Sequence, residues 1–381
     1  MTIAMTHILY YEPDYDISFP NLWQLRGQYK YPSILSDLYK SARITILMHT
    51  IPPRTDPYRR ILEEEYGVKF IVFHTTNTNC SNRGEYLAES LARVIMKLKV
   101  TVLSNLNGRS IIYCYASARA AELNGIRYVM RIGGDDLATK SHFYEKKGIA
   151  FLGTRQHFEL IQYERIALEI ADTVIAMTKR EKARLELITT NKKKIEVCYR
   201  GVDLNVFKAT IAKSGVCRRF LFVGRKSFEK GYDILESAAK QLHIEKLDIN
   251  FTFAGTFEAD EVENRTYLGY VNYEDLPELY KKHDALIVCS RTEGFPQVVM
   301  EAMSMGLPCI MTRHIFEKDF EDHDTALFCD NDANDLARKI RMLAGDSDLF
   351  KKLSTKALAH AQLNFSSELM CKNYQMVLLG N

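Results

Sequence analysis

Residues 290–310 read SRTEGFPQVVMEAMSMGLPCI, and within them Glu293 and Glu301 stand eight positions apart. Glu293 precedes an apolar run and Glu301 lies inside it. A carboxylate is costly to bury unless a charged or hydrogen-bonding partner compensates it. The position of Glu301 therefore indicates a ligand or partner in the interior. The alternative is a surface helix on which Glu301 faces water.

The same stretch has the boundaries of a helix. Pro296 suits the first helical position, and Gly306 suits the residue just past the end. The predicted strand 285–290 leads into this helix through a loop, so the helix start should lie at the carboxyl edge of a sheet. Free backbone N–H groups and the helix dipole attract anions there. A diol such as a ribose would donate two hydrogen bonds to Glu301.

Strand and helix patterns alternate along the whole chain, which predicts an α/β protein with parallel sheets. Predicted strands of the first half are 7–11, 44–50, 69–75, 110–115, 128–133, 173–178 and 194–199. Those of the second half are 219–224, 249–255, 285–290, 308–312 and 326–330. Predicted helices include 85–98, 116–125, 162–171, 231–242, the segment around Glu301, 333–345 and 366–379.

The periodic pattern lapses over residues 201–216, which predicts a domain boundary there. We expect Rossmann-like domains at 1–203 and 204–365, with the terminal helix 366–381 packing back on the first. Ligands of such sheets bind beyond the carboxyl ends of the strands. We therefore expect the two parallel sheets to face each other across a cleft that holds the site.

Composition excludes several classes of protein. The chain has 381 residues, of which 46% are hydrophobic and 26% charged, as in globular rather than disordered or fibrous proteins. A net charge of +3 gives no argument for nucleic acid as a partner. The sequence offers no apolar run of the roughly 18–20 residues that cross a bilayer and no signal-peptide pattern. Eight scattered cysteines suit buried reduced thiols, so we expect a cytoplasmic protein.

The stretch 293–308, E-G-F-P-x-V-x-x-E-A-M-x-x-G-L-P, resembles the E-x7-E motif of retaining glycosyltransferases of family 4, which have the two-Rossmann GT-B fold. FVGRKSFEKGYDILESA (222–238) resembles the G-R-x-x-x-x-K-G element of that family. RGVDLNVF (200–207) resembles the linker that opens its second domain, and 171–185 resembles the strand and helix before it.

The resemblance assigns a donor site to the second domain. Arg225 and Lys230 correspond to the basic pair that binds the donor diphosphate, and two cations with a helix N-terminus would stabilise it without a metal. The alternative is a pair of ordinary exposed cations. Glu293 and the backbone of residues 294–296 correspond to the donor-sugar and phosphate contacts. Glu301 corresponds to the ribose-binding carboxylate. The full predicted donor site is Gly224, Arg225, Lys230, Glu293, Gly294, Phe295, Pro296, Val298 and Glu301.

The first domain should provide the acceptor side. Arg131, Gly134 and Asp135 reproduce a pattern of one family subgroup, and Gly133 with Gly134 would let the backbone approach a ligand closely. Asp135 is a candidate for contacting the sugar or guiding the acceptor proton. A helix N-cap is an equally open interpretation of Asp135.

The loop after the first strand departs from the family. Residues 10–23, YYEPDYDISFPNLW, contain no glycine where relatives have a Gly-rich turn. Tyr11 and Asp14 are candidates for the acceptor pocket, with a packed surface loop as the alternative. This departure also motivates an alternative function, a non-catalytic nucleotide-sugar-binding subunit.

The resemblance implies a retaining, metal-independent glycosyltransferase of the hexosyltransferase class. It would move a sugar from a UDP- or GDP-sugar to a hydroxyl of a glycan, glycolipid or natural-product glycoside, with no cofactor. The predicted catalytic residues are Asp135, Arg225, Lys230 and Glu293. A nucleotide-sugar epimerase on the same fold is a further alternative.

Two other patterns favour structural interpretations. Asp330 and Asp332 form a D-x-D pair, but Asp332 directly precedes a predicted helix, so we interpret it as a cap and expect no metal. The basic clusters 179–184 and 191–194 are interpreted as solvated faces. Contact with an anionic membrane surface at the inner face is their alternative.

Overall fold

The structure is a computed structural model. It describes residues 6–12, 42–48, 57–65, 67–73, 83–105, 110–132, 137, 141, 144, 148, 150–209, 212–255 and 263–380.

The chain divides into two compact units. The first comprises Met1–Tyr199 together with Met370–Asn381, and the second is Arg200–Leu369. The sequence predicted boundaries at 203/204 and 365/366. Each unit contains one parallel sheet with helices between its strands. The predicted α/β class with two Rossmann-like domains is confirmed.

The first unit contains a seven-stranded parallel sheet in its described part. Its strands are β1 (Thr6–Glu12), β2 (Ala42–Met48), β3 (Lys69–Val72), β4 (Val102–Asn105), β5 (Arg127–Arg131), β6 (Thr173–Ala176) and β7 (Ile195–Val197). Its described helices are α1 (Pro57–Glu64), α2 (Arg83–Leu98), α3 (Ile111–Asn124), α4 (Arg155–Ile170) and α5 (Lys179–Leu185). The strand order is β3-β2-β1-β4-β5-β6-β7.

The second unit contains a six-stranded parallel sheet in its described part. Its strands are β8 (Arg219–Val223), β9 (Asn250–Ala254), β10 (Arg265–Gly269), β11 (Ala285–Val288), β12 (Cys309–Thr312) and β13 (Leu327–Cys329). Its helices are α6 (Tyr232–Ile244), α7 (Leu276–Lys282), α8 (Gln297–Ser304), α9 (Arg313–Phe316), α10 (Ala333–Gly345) and α11 (Ser347–Asn364). The strand order β10-β9-β8-β11-β12-β13 reverses direction between β8 and β11.

The central strands of the second sheet are buried on both faces. All four residues of β11 and all four of β12 are buried. Helices cover both faces of a doubly wound sheet, so its strands are continuous apolar runs rather than alternating ones. This explains why β11 and β12 stand out in the sequence as short continuous apolar runs.

The last helix, α12 (Ser367–Leu379), belongs to the first unit from Met370 onward. Tyr374 and Leu378 pack in one apolar cluster with Ile8 of β1. The guanidinium of Arg127 donates to the carbonyls of Leu378 and Val377, at 3.0 and 2.6 Å. A cation at a helix C-terminus stabilises the last carbonyls and the helix dipole.

The predicted strand 110–115 is wrong, because these residues begin helix α3. Eight residues of α3 are buried, including Ile111, Cys114 and Tyr115 at its start. A helix enclosed on nearly all sides has no polar stripe, so its periodicity does not distinguish it from a buried strand. The predicted end at Gly125 is confirmed, with φ of 60° at this C-cap.

Two strands and several helices escaped the sequence analysis. They include β4 and β10, which are short and contain polar residues, and α11, which follows α10 after the single residue Asp346. The seven described cysteines are all free and buried. Among the described helices, none combines the length and the apolarity needed to cross a bilayer.

Candidate functional site

The candidate site lies where the second sheet reverses its strand order. One loop, 224–231, follows β8, and another, 289–296, follows the neighbouring β11. Both loops leave the carboxyl edge of the sheet and lead into helices α6 and α8. Ligands of doubly wound sheets bind at this reversal. The Arg225/Lys230 motif lies on the first of these loops, and the E-x7-E motif runs from Glu293 on the second loop to Glu301 inside α8.

Lys230 and Glu293 form an ion pair between the two loops. Lys230 Nζ lies 2.5 Å from Glu293 Oε2, and the hydroxyl of Ser290 lies 3.4 Å from the same oxygen. The side chains are 26% and 16% exposed, so the pair is partly shielded from water. The structure thus brings together two predicted donor-site residues that are 63 positions apart in the chain.

Gly231 holds the first loop close to the end of β11. A Cβ atom at this position would lie 1.9 Å from the carbonyl oxygen of Cys289, and φ is +65°. Only glycine avoids both the collision and the left-handed strain. The thiol of Cys289 donates to the Gly231 carbonyl at 3.1 Å. Burial raises the pKa of this thiol to about 12, so it remains a donor.

Arg225 is exposed on the first of the two loops. Its guanidinium makes neither a hydrogen bond nor an ion pair with the part of the chain that the structure describes. The preceding Gly224 donates its N–H to the carbonyl of Ala254 at 2.9 Å, which anchors the loop start to the end of β9. Arg225 is therefore accessible to an anionic ligand.

Glu301 is buried in α8, with 2% of its surface exposed, so it does not face water. The phenol of Tyr280 in α7 donates to Glu301 Oε2 at 2.9 Å. Burial, and after it the Glu301 carboxylate, raise the pKa of Tyr280 well above the ordinary value, which keeps the phenol protonated.

The sequence analysis did not identify Tyr280. Its only signal was its place beside Leu279 on the apolar face of a short helix, a pattern typical of core residues. The partner of a buried carboxylate belongs to another element, here 21 positions away. Sequence spacing alone does not reveal such a pair.

The side chain of Phe295 is buried in an aromatic cluster. Its ring is 4% exposed and stacks on Phe320, with centroids 5.9 Å apart and planes 9° apart. It also meets Phe365 edge-on at 5.6 Å. Only the backbone of Phe295 is thereby left for the predicted phosphate contact. Its neighbours Gly294 and Val298 are partly exposed.

Helix α8 ends as the sequence indicated and begins one residue later than predicted. Pro296 is the N-cap rather than the first helical residue. Past the end, Gly306 has φ of +73°. The N–H groups of Gly306 and Leu307 donate to the carbonyls of Met303 and Ala302, both at 2.9 Å. This is the bond pattern of a Schellman C-cap.

The predicted acceptor side is largely outside the described residues. This applies to Asp14, Gly133, Gly134 and Asp135 and to the side chain of Tyr11, whose backbone belongs to β1. Arg131 is 7% exposed within the first unit. Its Nη2 lies 3.0 Å from Met177 Sδ, and its guanidinium lies 5.9 Å from the centroid of the Tyr374 ring. These contacts are internal to the unit, and a role toward an acceptor stays a prediction.

Asp332 is a helix cap, as predicted. Its carboxylate accepts the backbone N–H of Asp335 at 2.8 Å at the start of α10. Within the described ranges, no group of three or more His, Cys, Asp or Glu residues is arranged to hold a metal ion. The absence of a metal requirement stays a prediction.

The two basic clusters contribute to internal contacts. Arg184 in α5 forms a two-pronged pair with Glu164 of α4, at 3.0 and 2.7 Å. Lys194 Nζ lies 3.1 Å from the Glu169 carbonyl oxygen. These contacts support the structural interpretation for Arg184 and Lys194, and a membrane contact stays a prediction.

The comparisons with known proteins agree with this geometry. Residues 211–360, which lie in the second unit, match the family model described as Glycosyl transferases group 1. The chain is 32% identical over 162 residues to an uncharacterized 41.2 kDa protein in the cps region of Klebsiella pneumoniae, covering 39% of this chain and 45% of that protein. It is 30% identical over 195 residues to an uncharacterized glycosyltransferase, MJ1178, of Methanocaldococcus jannaschii, covering 48% and 52%.

The match to curated relatives is partial, since the chain spans about half of their length. By contrast, the alignment with one solved structure covers nearly all of this chain. The Anabaena protein Alr3699/HepE in complex with UDP aligns over 99% of this chain and 100% of that chain, with a TM-score of 0.69 and 17% identity. At this identity the likeness concerns the fold, which is of the GT-B type, as predicted.

Proposed function

We propose that this protein is a retaining, metal-independent glycosyltransferase that moves a sugar from a nucleoside-diphosphate sugar to a hydroxyl acceptor. The observation that supports it best is the Lys230–Glu293 pair, which stands beside exposed Arg225 at the strand reversal of a glycosyl transferases group 1 domain. We further propose a UDP- or GDP-sugar as donor. The relation to a structure that holds UDP supports the first of these.

The cations of the site suit a departing diphosphate. The ammonium of Lys230 has three donors, and Glu293 accepts from one of them. The remaining N–H groups are available to phosphate oxygens. Together with Arg225 they would stabilise negative charge as it develops on the leaving group, a contribution that preorganised donors make most strongly in a shielded site.

The start of α8 would add a second source of positive potential. Its first backbone N–H groups have no partner inside the helix, and the dipole places partial positive charge at that end. The side chain of Phe295 is anchored in the core, which holds this backbone in place. Phosphate binding at a helix N-terminus is common.

Glu301 would bind the ribose. Its carboxylate is oriented by Tyr280, so it is held ready to accept hydrogen bonds from the two ribose hydroxyls. In this proposal, the buried carboxylate of Glu301 contacts the nucleoside part of the donor and not its phosphates.

The proposed reaction requires no covalent enzyme intermediate. The bond between the anomeric carbon and the diphosphate oxygen breaks, and the acceptor oxygen forms its new bond on the same face. The proton of the acceptor hydroxyl passes to the departing diphosphate. Arg225 and Lys230 stabilise that anion, while Glu293 orients the sugar and holds Lys230. Asp135 remains a candidate for guiding the acceptor. The acceptor class we propose is a glycan, glycolipid or natural-product glycoside, reached in the cytoplasm or at the inner face of a membrane.

Calorimetric titration with UDP, GDP and ADP tests the donor class, and transfer from a radiolabelled UDP- or GDP-sugar to a mixture of glycan and lipid acceptors tests catalysis. We expect one diphosphate to bind and its sugar to be transferred. Binding without turnover would support a non-catalytic subunit, and isomerisation of the sugar without transfer would support an epimerase. If none of the three diphosphates binds, the proposal is wrong.

A further inference from the structure

Arg291 lies on the loop after β11, two residues before Glu293, and its side chain reaches the loop after β8. Its Nη1 and Nη2 each donate to one carboxylate oxygen of Asp233, both at 2.7 Å. Nη1 also lies 2.7 Å from the carbonyl oxygen of Phe228. A two-pronged pair with a further backbone acceptor is a geometry that only a guanidinium provides.

Two more contacts join the same segments. The backbone N–H of Arg291 donates to the carbonyl of Glu229 at 2.8 Å. The guanidinium carbon lies 3.7 Å from the centroid of the Phe228 ring, within the range of a cation–π interaction. We call Arg291, Asp233, Phe228 and Glu229 the Arg291 cluster.

The Arg291 cluster sits between the two halves of the candidate donor site. Glu229 immediately precedes Lys230, and Thr292 alone separates Arg291 from Glu293. The cluster therefore fixes the backbones from which the two members of the ion pair extend. A lysine side chain loses rotamer entropy when it is held in one geometry, so the 2.5 Å contact between Lys230 and Glu293 depends on backbones that are fixed at both residues.

The first loop has a second attachment on its other side. Gly231 packs against the carbonyl of Cys289, as described above. Arg291 and Gly231 thus attach the segment 228–231 to the end of β11 at two points. Of these two attachments, only that of Arg291 is made by a side chain that reaches from one loop to the other. Gly231 makes its contact through its backbone.

We propose that Arg291 is a positioning residue for the donor diphosphate. It acts through Lys230 and Glu293, by setting the separation of the two loops that bear them. This inference rests on the proposed function, since it assumes that Lys230 and Glu293 meet a nucleoside diphosphate.

The test compares Arg291→Ala and Arg291→Lys with Arg341→Ala. Arg341 provides a matched control, because it forms a similar two-pronged pair with Glu245 of the same unit at 2.7 and 2.6 Å, yet it lies on α10, away from both loops. Each variant is titrated with UDP, GDP and ADP, and the kcat and KM for the donor are measured. Hydrogen–deuterium exchange of the ligand-free protein follows the amides of residues 228–233.

We expect Arg291→Ala to bind the diphosphate at least ~10-fold more weakly, since small displacements of binding groups have effects of this size or larger. Amide exchange over 228–233 should be faster than in the wild type. Arg291→Lys should recover less than half of the lost affinity on a logarithmic scale, because one ammonium cannot replace the fork and the ring contact. Arg341→Ala should change neither measurement.

Wild-type affinity and wild-type exchange in Arg291→Ala would overturn the inference. Faster exchange with unchanged affinity would also overturn it, since the loop would then be held for structural reasons only. A wild-type chain that binds none of the diphosphates would refute the proposed function and the ligand-binding part of the inference. The exchange measurement would still decide whether Arg291 holds the loop.

Discussion

The phenol of Tyr280 lies 2.9 Å from Oε2 of Glu301, and both side chains are almost fully buried. The two residues come from different helices, α7 and α8, that flank strand β11 in the chain. A buried carboxylate with a fixed donor has a defined orientation before any ligand arrives. The cost of burying Glu301 is thus partly offset within the protein.

Tyr280→Phe should remove one hydrogen bond from the buried carboxylate of Glu301. We expect a loss of about 1–3 kcal/mol in the free energy of unfolding. Affinity for the nucleoside diphosphate should fall as well, because Glu301 loses its fixed orientation. Denaturant unfolding and calorimetric titration measure the two effects.

Tyr267→Phe is the matched control for this change. Of the atoms that the structure describes, none is a hydrogen-bond partner of the buried phenol oxygen of Tyr267. Removing that oxygen should therefore leave stability unchanged or raise it. Equal losses in the two variants would contradict a special role for the Tyr280 hydrogen bond.

Glu301→Gln should weaken binding of the diphosphate while keeping the fold, because the side chain retains its shape and an acceptor for Tyr280. The loss should appear with UDP or GDP and be absent with inorganic pyrophosphate, since the proposed partner of Glu301 is the ribose. Titration with both ligands is the measurement. Similar losses with pyrophosphate would show that Glu301 does not act through the ribose.

Arg225→Ala should lower turnover by at least ~10²-fold if this cation stabilises charge in the transition state. Arg225 is exposed, so the melting temperature should stay near that of the wild type. Lys240→Ala, which removes another exposed cation of the second unit, serves as the control. A rate for Arg225→Ala close to that of the control would exclude a catalytic role.

Gly231→Ala should destabilise the second unit strongly. The added Cβ would meet the Cys289 carbonyl at 1.9 Å, and φ of +65° disfavours alanine by itself. We expect a loss of more than about 2 kcal/mol. At Gly345, no described atom lies within 4 Å of the place that a Cβ would occupy, so Gly345→Ala should be neutral or stabilising. Thermal unfolding of the two variants gives the comparison.

Acid should weaken the second unit through Asp284. Burial favours the neutral form of this carboxyl, but Arg219 and the backbone N–H groups of Arg218 and Arg219 outweigh it and lower the pKa. A lowered pKa in the folded state stabilises the protein fully above the ordinary aspartate pKa of about 4. This contribution disappears as the pH falls through the folded-state value.

Asp284→Asn should therefore lower the free energy of unfolding at neutral pH by about 1–3 kcal/mol, the usual size for losing hydrogen bonds to a charged group, and the difference from the wild type should shrink in acid. Unfolding by urea from pH 7 downward measures it. Asp248, whose side chain is 84% exposed beside Arg218, provides the control: Asp248→Asn should change stability by less than about 0.5 kcal/mol at every pH. A constant difference for Asp284→Asn would contradict the linkage.

The sequence predicted most of the fold because buried parallel strands have a strong signature. Continuous apolar runs such as β11 and β12 are typical of strands buried on both faces, and their alternation with helices predicted parallel sheets. The same signature misled the prediction at 110–115, where the largely buried start of helix α3 presents an equally continuous apolar run. Burial on most sides weakens the periodicity on which the distinction between helix and strand depends.

Features of the candidate site that depend on a short stretch of sequence were predictable. Contacts between side chains that are distant in the chain were not. The helix start at Pro296 and the glycine at 306 are local signals, and both helix ends lie within one residue of the prediction. The contacts of Arg291 with Asp233 and of Glu301 with Tyr280 join residues 58 and 21 positions apart. Side chains of this kind, at ordinary surface or core positions, acquire their roles only through packing.

The buried thiols make each unit a reporter of its own unfolding. Cys198 lies in the first unit and Cys289 in the second, and burial raises the pKa of both to about 12. The thiolate is the reactive form, so such cysteines are inert to alkylating reagents until the surrounding structure opens. With Cys80 replaced by serine, mass spectrometry after timed alkylation would date the opening of the two sheets separately. The buried cysteines thus serve as intrinsic probes of the order in which the two sheets unfold.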